Sequence, residues 1–320
     1  MKEMDMQFPD GKGRTAVLWG LGISVGLLLF VVISKYYTPP RRYEDTYKDI
    51  VKKREILSQM RANLHKSVEM EKNAVMALTD EESREFADQS LAASEVVEQN
   101  RKQLNSLIDA APMQDERNLV IEFNNCWTEL RKLDQVILEL AVQNTNLKAA
   151  SLSREKGAEA MQRFEHALND VMKSYSGTPN EARVARLIFR AMTAGLKIQN
   201  LHSFHIAEAS DEKMDQIETQ IKTEENEASK SLDELASIVG EKSRHVLLQA
   251  KTAFSEFMEV TAEVIKLSRQ NSNIKSLELS LGKTRKVTAQ CDEILVTFQE
   301  AVQNRRPTTL PRPRGSRRSG

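Results

Sequence analysis

Two histidines are the first residues whose type and spacing could do chemistry. His202 and His205 are three positions apart in a stretch with helical character, so they share one helical face. Such a pair could ligate a metal ion or a haem iron, but no third ligand is placed near it. We therefore interpret both as structural side chains and predict no metal and no cofactor.

Arginines form a second feature of this kind. Arg183, Arg186 and Arg190 are spaced by three and four positions, which places them on one face of a predicted helix. None of them has an acidic residue three or four positions away, so ion pairs within the helix are poorly supported. The favoured interpretation is a solvated basic face, or pairing with acids on a neighbouring helix.

Enzymatic signatures are not found in the sequence. It contains no glycine-rich phosphate loop, no nucleophile elbow and no Cys or His cluster at zinc spacing. We predict a non-enzymatic protein with no catalytic residues. Basic and acidic side chains number 46 each, so no overall charge attracts nucleic acid, and no specific nucleic-acid partner is expected.

Long helices are the elements that must position these side chains. Between Arg42 and Asn304 there are only two prolines and five glycines, and Ala, Glu, Lys, Leu and Gln are abundant. No window rich in β-forming residues and turn signals interrupts this stretch. The predicted fold class is all-α.

A membrane anchor is predicted near the amino terminus, over residues 15–37, after a short segment 1–14. Residues 16–34 carry no charge and would span about 30 Å as a helix, which matches the hydrocarbon core of a bilayer. A cleaved signal peptide is the alternative, but no small-residue cleavage site follows. Gly22 and Gly26 form a GxxxG motif through which two such helices could pack. The Lys and Arg count around the anchor gives only a weak guide to orientation.

An internal repeat organises the rest of the chain. The hexapeptide QNTNLK at 143–148 returns as QNSNIK at 270–275, and the match extends back over 127–148 and 254–275 at an offset of 127. We interpret this as a tandem duplication. The predicted units are two four-helix modules, 43–176 and 180–303, followed by a disordered tail rich in Arg and Pro at 304–320.

Asn144 and Asn271 are the repeated asparagines that fall on the apolar a/d seam of these predicted helices. An asparagine in such a seam fixes register and pairing, and this is the favoured interpretation. The alternative is a polar layer that faces a buried ligand, which makes both residues candidate binding residues.

Cys126 and Cys291, the two cysteines, are far apart in the chain and both lie in helical pattern. The expected state is two buried free thiols, since isolated cysteines commonly behave as small apolar residues. A disulfide is the alternative.

A known family matches several of these stretches. The membrane helix leads directly into a long first helix, then ALTDEES at 77–83, an aromatic-led helix at 123–150 and LSREKG at 152–157. Over about 15–303 the chain resembles the four-helix-bundle sensor domain of bacterial chemoreceptors (methyl-accepting chemotaxis proteins), in tandem or bimodular form. No second membrane helix or signalling hairpin is seen, so signalling to a kinase is not expected.

The resemblance implies a sensor on the outer face of the bacterial inner membrane, which crosses that membrane once. It also implies a homodimer and a small anionic ligand or a partner receptor, with Arg61 and Arg186 as candidate anion contacts. The leading hypothesis is a membrane-anchored sensory protein that binds its ligand without catalysis. The alternative is a coiled-coil scaffold of the cell envelope that binds a protein partner. A polar pocket near an arginine would favour the sensor, and a continuous apolar seam would favour the scaffold.

Overall fold

A computed structural model describes residues 41–110 and 113–304, with side chains from Tyr47 onward. The predicted anchor at 15–37, with Gly22 and Gly26, lies outside the described residues, as do residues 305–320 of the predicted tail. None of the helices in the described ranges is long and apolar enough to cross a bilayer.

All regular elements of the described ranges are helical, as the composition predicts. In chain order they are α1 (Arg41–Met76), α2 (Asp80–Ala110), α3 (Gln114–Ala141), α4 (Thr145–Leu152), α5 (Ala158–Tyr175), α6 (Glu181–Ala207), α7 (Asp211–Ile238), α8 (Glu241–Gln270), α9 (Ser272–Leu279) and α10 (Arg285–Gln303). Two π-helical segments, Ser153–Gly157 and Ser280–Thr284, connect α4 to α5 and α9 to α10.

Hydroxyl caps begin the second helix of each hairpin, as expected for Thr and Ser before acidic first turns. The Thr79 side chain accepts a hydrogen bond from the backbone N–H of Glu82 at 3.2 Å. The Ser210 side chain accepts one from the N–H of Lys213 at 3.4 Å. These contacts cap α2 and α7 at their first residues, Asp80 and Asp211.

Two long rods and two hairpins make up the architecture. The first rod runs from α3 through α4 to α5, and the second runs from α8 through α9 to α10. The hairpins are α1 with α2 and α6 with α7, whose helices pack tightly on each other. Helices α1 and α10 are antiparallel, because Arg61 contacts Asp292 while Glu71, further along α1, lies near Ser280.

Two bundles divide the core. The base bundle consists of α1, α2, α3 and α10, and its apolar core takes side chains from all four helices. The tip bundle consists of α5, α6, α7 and α8, whose core is similarly continuous. A small third cluster of mostly alanine and branched residues lies where α1, α2 and α3 approach the junction between the bundles.

Helices are exchanged between the two predicted units. Helix α5 belongs to the range 43–176 but packs in the tip bundle, and α10 belongs to 180–303 but packs in the base bundle. The ranges 43–176 and 180–303 therefore describe the sequence repeat, while packing divides the chain differently. The reason is that neither rod folds back at its centre, so each rod carries its final helix past the junction into the other bundle.

A disulfide joins Cys126 on α3 to Cys291 on α10, with 5.7 Å between the two Cα atoms. The expectation of two free thiols was therefore wrong. The two residues are 165 positions apart, and only the helix exchange brings α10 against α3. The bond fixes the exchanged helix covalently in the base bundle.

Candidate functional site at the bundle junction

Asn144 and Asn271 interrupt the two rods where the bundles meet. Both adopt the left-handed backbone conformation, with φ of 51° and 56°, and they are the described non-glycine residues with positive φ. Asparagine tolerates this conformation better than most side chains. The sequence pattern placed both within uninterrupted helices, but α3 and α8 end just before them and α4 and α9 begin just after.

The two copies of the repeated hexapeptide contact each other at this junction. The backbone N–H of Thr145 donates to the Ser272 hydroxyl at 3.1 Å, and the N–H of Ser272 donates to the Thr145 hydroxyl at 3.1 Å. The N–H groups of Asn146 and Asn273 donate to each other's side-chain oxygens, both at 3.2 Å. The residues of each pair are 127 positions apart, which is the offset of the sequence repeat. The two copies of the hexapeptide are therefore related by a pseudo-two-fold axis.

Side-chain amides cross-link the rods further. The Asn146 amide donates to the side-chain oxygen of Asn271 at 2.8 Å, and the Asn273 amide donates to that of Asn144 at 3.0 Å. Residues Asn144, Asn146 and Asn271 are all buried. Because their polar groups are paired with protein, they hold the two rods at a defined register.

The same asparagines also hold the turns of both hairpins. The Asn144 amide donates to the Asp80 carboxylate at 3.0 Å, at the start of α2. The Asn271 amide donates to the carbonyl of Glu208 at 3.0 Å, just after α6. The junction therefore connects all four chain segments that meet between the bundles: two rods and two hairpin turns.

Arg61 and Arg186 lie away from this junction and in different bundles. Arg61 donates to both oxygens of Asp292, at 2.7 and 3.2 Å, and this pairing lowers the pKa of Asp292. Arg186 is exposed on α6 and makes no ion pair with the described residues. Along their helices they are about 24 Å and about 30 Å from the junction turns. The structure thus brings the two asparagines together, but not the two arginines.

His202 and His205 use both ring nitrogens in hydrogen bonds. The His202 ring contacts the hydroxyls of Ser153 at 2.9 Å and Thr261 at 3.1 Å. The His205 ring contacts Ser268 at 2.8 Å and Glu218 at 2.9 Å. Burial, with a contribution from His205, lowers the pKa of His202 to about 4, so its ring is neutral at neutral pH.

A basic cleft of about 320 Å³ lies between α2 and α3 in the base bundle. The Trp127 indole at its floor donates to Glu98 at 3.0 Å, and Arg101 pairs with the same carboxylate at 2.6 Å. These contacts, led by Arg101, lower the pKa of Glu98 to about 2. The remaining charged residues of the cleft are Lys132 and Arg131, whose guanidinium carbon lies 5.9 Å from the Trp127 ring centroid. The cleft is therefore net positive.

This cleft was not found by sequence reasoning. Trp127 falls within the predicted aromatic-led helix at 123–150, but the lining of the cleft comes from two helices, with residues about 30 positions apart in the chain. A helical-wheel comparison of α2 and α3 would have placed Arg101 and Arg131 on exposed flanks, without showing that those flanks face each other.

Comparison with known families gives one match. Residues 22–178 match the family model described as a four helix bundle sensory module for signal transduction. This confirms the resemblance to a chemoreceptor sensor domain. The matched range supplies α1, α2 and α3 of the base bundle and α5 of the tip bundle. No curated protein matches the chain in sequence.

Proposed function

Since residues 22–178 match the family model of a four helix bundle sensory module for signal transduction, we propose that this protein is a membrane-anchored, non-enzymatic sensor whose two bundles act as one coupled unit. The observation that carries the proposal is the helix exchange across the hydrogen-bonded junction. Each rod belongs to both bundles, so a displacement of α8 in the tip bundle is passed to α10, which packs against α1 in the base bundle.

The described ends of the chain support anchoring at the base. Helix α1 begins at Arg41, shortly after the predicted anchor 15–37, and α10 runs antiparallel to it, towards the same end of the base bundle, and ends at Gln303. The disulfide supports an extracytoplasmic location, because disulfides persist in oxidising compartments. We therefore place both bundles on the outer face of the bacterial inner membrane.

A small organic anion is the ligand class that the base bundle fits best. Arg131 and Lys132 leave the cleft net positive, because Glu98 is already neutralised by Arg101. The Arg131 guanidinium, which lies over the buried Trp127 ring, offers a planar face beside the charge. Arg186 stays a candidate contact in the tip bundle, whereas an anion at Arg61 would have to compete with Asp292.

A thermal-shift screen of the full chain in detergent micelles tests this proposal. Small carboxylates, amino acids and purines would be added, and a ligand that binds only the folded state should raise the Tm in proportion to ln(1 + [L]/Kd). Arg131→Gln with Lys132→Gln should abolish the shift. Lys242→Gln, an exposed lysine on α8, is the matched control and should retain it.

The other arginines separate the candidate sites. Loss of the shift in Arg186→Gln or Arg61→Gln, with the cleft variants unaffected, would move the ligand site to that arginine. No shift with any compound, in a chain that is folded and helical by circular dichroism, would contradict the sensor proposal for these ligand classes.

An exposed apolar face on α6 favours protein partners as the second candidate function. Phe189, Leu196 and Phe204 are 71%, 54% and 59% exposed, and their spacing places them along one face. Such a face would serve the expected homodimer, a partner receptor or a scaffold. Analytical ultracentrifugation of Phe189→Ser with Leu196→Ser, compared with wild type, tests whether this face forms a homodimer.

A further inference from the structure

Glu71 on α1 and Asp134 on α3 are two carboxyl groups buried inside the base bundle. Their exposed fractions are 0% and 1%. None of their four carboxyl oxygens makes a hydrogen bond of normal geometry with the described residues. Burying charged carboxylates without partners is strongly unfavourable, and such groups generally take up protons instead.

The tip bundle shows what occupies the equivalent positions when the polar groups are paired. His202 lies 131 positions after Glu71, the same offset that separates the helix caps Thr79 and Ser210. Thr261 lies 127 positions after Asp134, which is the offset of the repeated hexapeptides. There the imidazole bonds to Thr261 and to Ser153 at the π-helical segment, which satisfies both ring nitrogens. The base bundle has a pair of acids at this level instead.

We propose that Glu71 and Asp134 form a proton-binding site in the core of the base bundle, and that loss of the proton loosens the packing of α1 against α3 and the adjoining π-helical segment Ser280–Thr284. Two ionised carboxylates here would repel each other in a low-dielectric layer, whereas one shared or two bound protons remove that repulsion. The site is a property of the bundle, whichever ligand the protein senses.

The groups around the pair come from each packed element. Burial raises the pKa of Glu71, and it outweighs the nearby Ser280 hydroxyl of the second rod and Lys72 on α1, which both favour the ionised form. Burial and the charge of Glu71 raise the pKa of Asp134 to about 7. Arg131 on α3 opposes this shift only in part.

The two remaining helices present hydroxyl groups at this level. On α2, the Ser83 hydroxyl donates to the carbonyl of Ala74 and the Ser90 hydroxyl donates to the carbonyl of Ser67, both on α1. The Ser94 hydroxyl is hydrogen-bonded to the Ser67 hydroxyl. The hydroxyls of Thr284, at the end of the π-helical segment, and Thr288, on α10, are buried without a hydrogen-bond partner in the described structure.

The direction of the pH effect follows from these shifts. The folded chain holds a proton on the pair at pH values where the unfolded chain has already lost it. Stability is therefore greatest at acidic pH and declines as the pH rises from the ordinary carboxyl range towards about 7. The pair would make the base bundle responsive to external pH between the ordinary carboxyl range and about 7.

Urea unfolding of the full chain in detergent micelles, followed by circular dichroism at about pH 5 and about pH 8, tests the site. The double variant Glu71→Gln with Asp134→Asn keeps the shape of both side chains and removes both titrating carboxyl groups, and Asp88→Asn on the exposed face of α2 is the control. Between the two pH values, the folding equilibrium constant of wild type and of Asp88→Asn should fall at least about tenfold more than that of the double variant.

Infrared spectroscopy of the wild type near pH 6 gives a second measurement that needs no variant to fold. We expect the carbonyl stretch of a protonated carboxyl group, and its loss in the folded double variant, which has neither buried carboxyl group. A wild type without this band at that pH, or a double variant with the wild-type dependence of stability on pH, would overturn the proposal.

Discussion

Thr145 and Ser272, 127 positions apart, each use a side-chain hydroxyl to accept a hydrogen bond from the other's backbone N–H, both at 3.1 Å. The exchange is symmetric, so the same short sequence serves as both donor and acceptor surface. A duplication that places equivalent residues across a pseudo-two-fold axis needs only a self-complementary segment, as in the isologous interfaces of symmetric dimers. This is the physical role of the repeated hexapeptide.

The first prediction concerns this reciprocal pair. Thr145→Val keeps the shape of the side chain but leaves the buried N–H of Ser272 unpaired, which should lower the free energy of unfolding by about 1–3 kcal/mol. Ser272→Ala should do the same to the N–H of Thr145. In chemical denaturation, the loss of unfolding free energy in the double variant should be smaller than the sum of the two single losses, by about 1 kcal/mol.

Thr219→Val is the matched control for this cycle. Its hydroxyl is exposed on α7 and bonds to a carbonyl of its own helix, so the change should stay within about 0.5 kcal/mol. Fully additive losses at Thr145 and Ser272 would mean that the two residues do not act as a pair.

Left-handed backbone at Asn271 gives the second prediction. Asn271→Gly and Asn271→Ala both remove the side-chain bonds, but alanine also adds the cost of the left-handed conformation, about 1–2 kcal/mol. Alanine should therefore be the less stable of the two. At Asn200, exposed inside α6, the order should reverse, with glycine less stable by about 1 kcal/mol. The same order at both positions in thermal unfolding would contradict the assigned conformation.

The disulfide gives a third prediction, for stability and location together. Replacing Cys126 and Cys291 by serine should lower the free energy of unfolding by about 3–5 kcal/mol, because the closed loop is long. Wild type with reductant should resemble the double variant, while the double variant itself should not respond to reductant. When cells are lysed under denaturing conditions, which exposes the two buried cysteines, the wild-type thiols should react with a maleimide only after reduction. Reaction without reductant would contradict an oxidising location.

His202 gives the fourth prediction, with the opposite pH sign to the carboxyl pair. The unfolded chain binds a proton to this side chain below its ordinary pKa of 6.5, but the folded chain does so only near 4. Stability should therefore fall by about 2–3 kcal/mol as the pH drops from about 6.5 to about 4. His202→Gln should remove this part of the acid dependence, measured by urea unfolding at several pH values.

His166→Gln, on an exposed face of α5, is the control and should leave the acid dependence of wild type unchanged. If wild type and His202→Gln lose the same stability on acidification, then the buried imidazole does not resist protonation and its hydrogen bonds to Ser153 and Thr261 do not carry the effect.

Local patterns were sufficient to predict the helices. The scarcity of breakers predicted the all-α class, and the hydroxyl caps at Thr79 and Ser210 marked where α2 and α7 begin. These signals act within one helical turn, so they can be read from adjacent residues. The repeated hexapeptide likewise predicted a duplication, and the asparagines Asn144 and Asn271 were identified as special positions.

Only the tertiary structure decided which segments pack together. The sequence alone assigned α5 and α10 to their own repeat units and left Cys126 and Cys291 as free thiols, whereas the folded chain exchanges the helices and joins the cysteines. Two equivalent helices with similar apolar faces fit either bundle, so periodicity cannot choose between them. The choice depends on whether each rod reverses at its asparagine, and that is settled by the contacts between residues 127 positions apart.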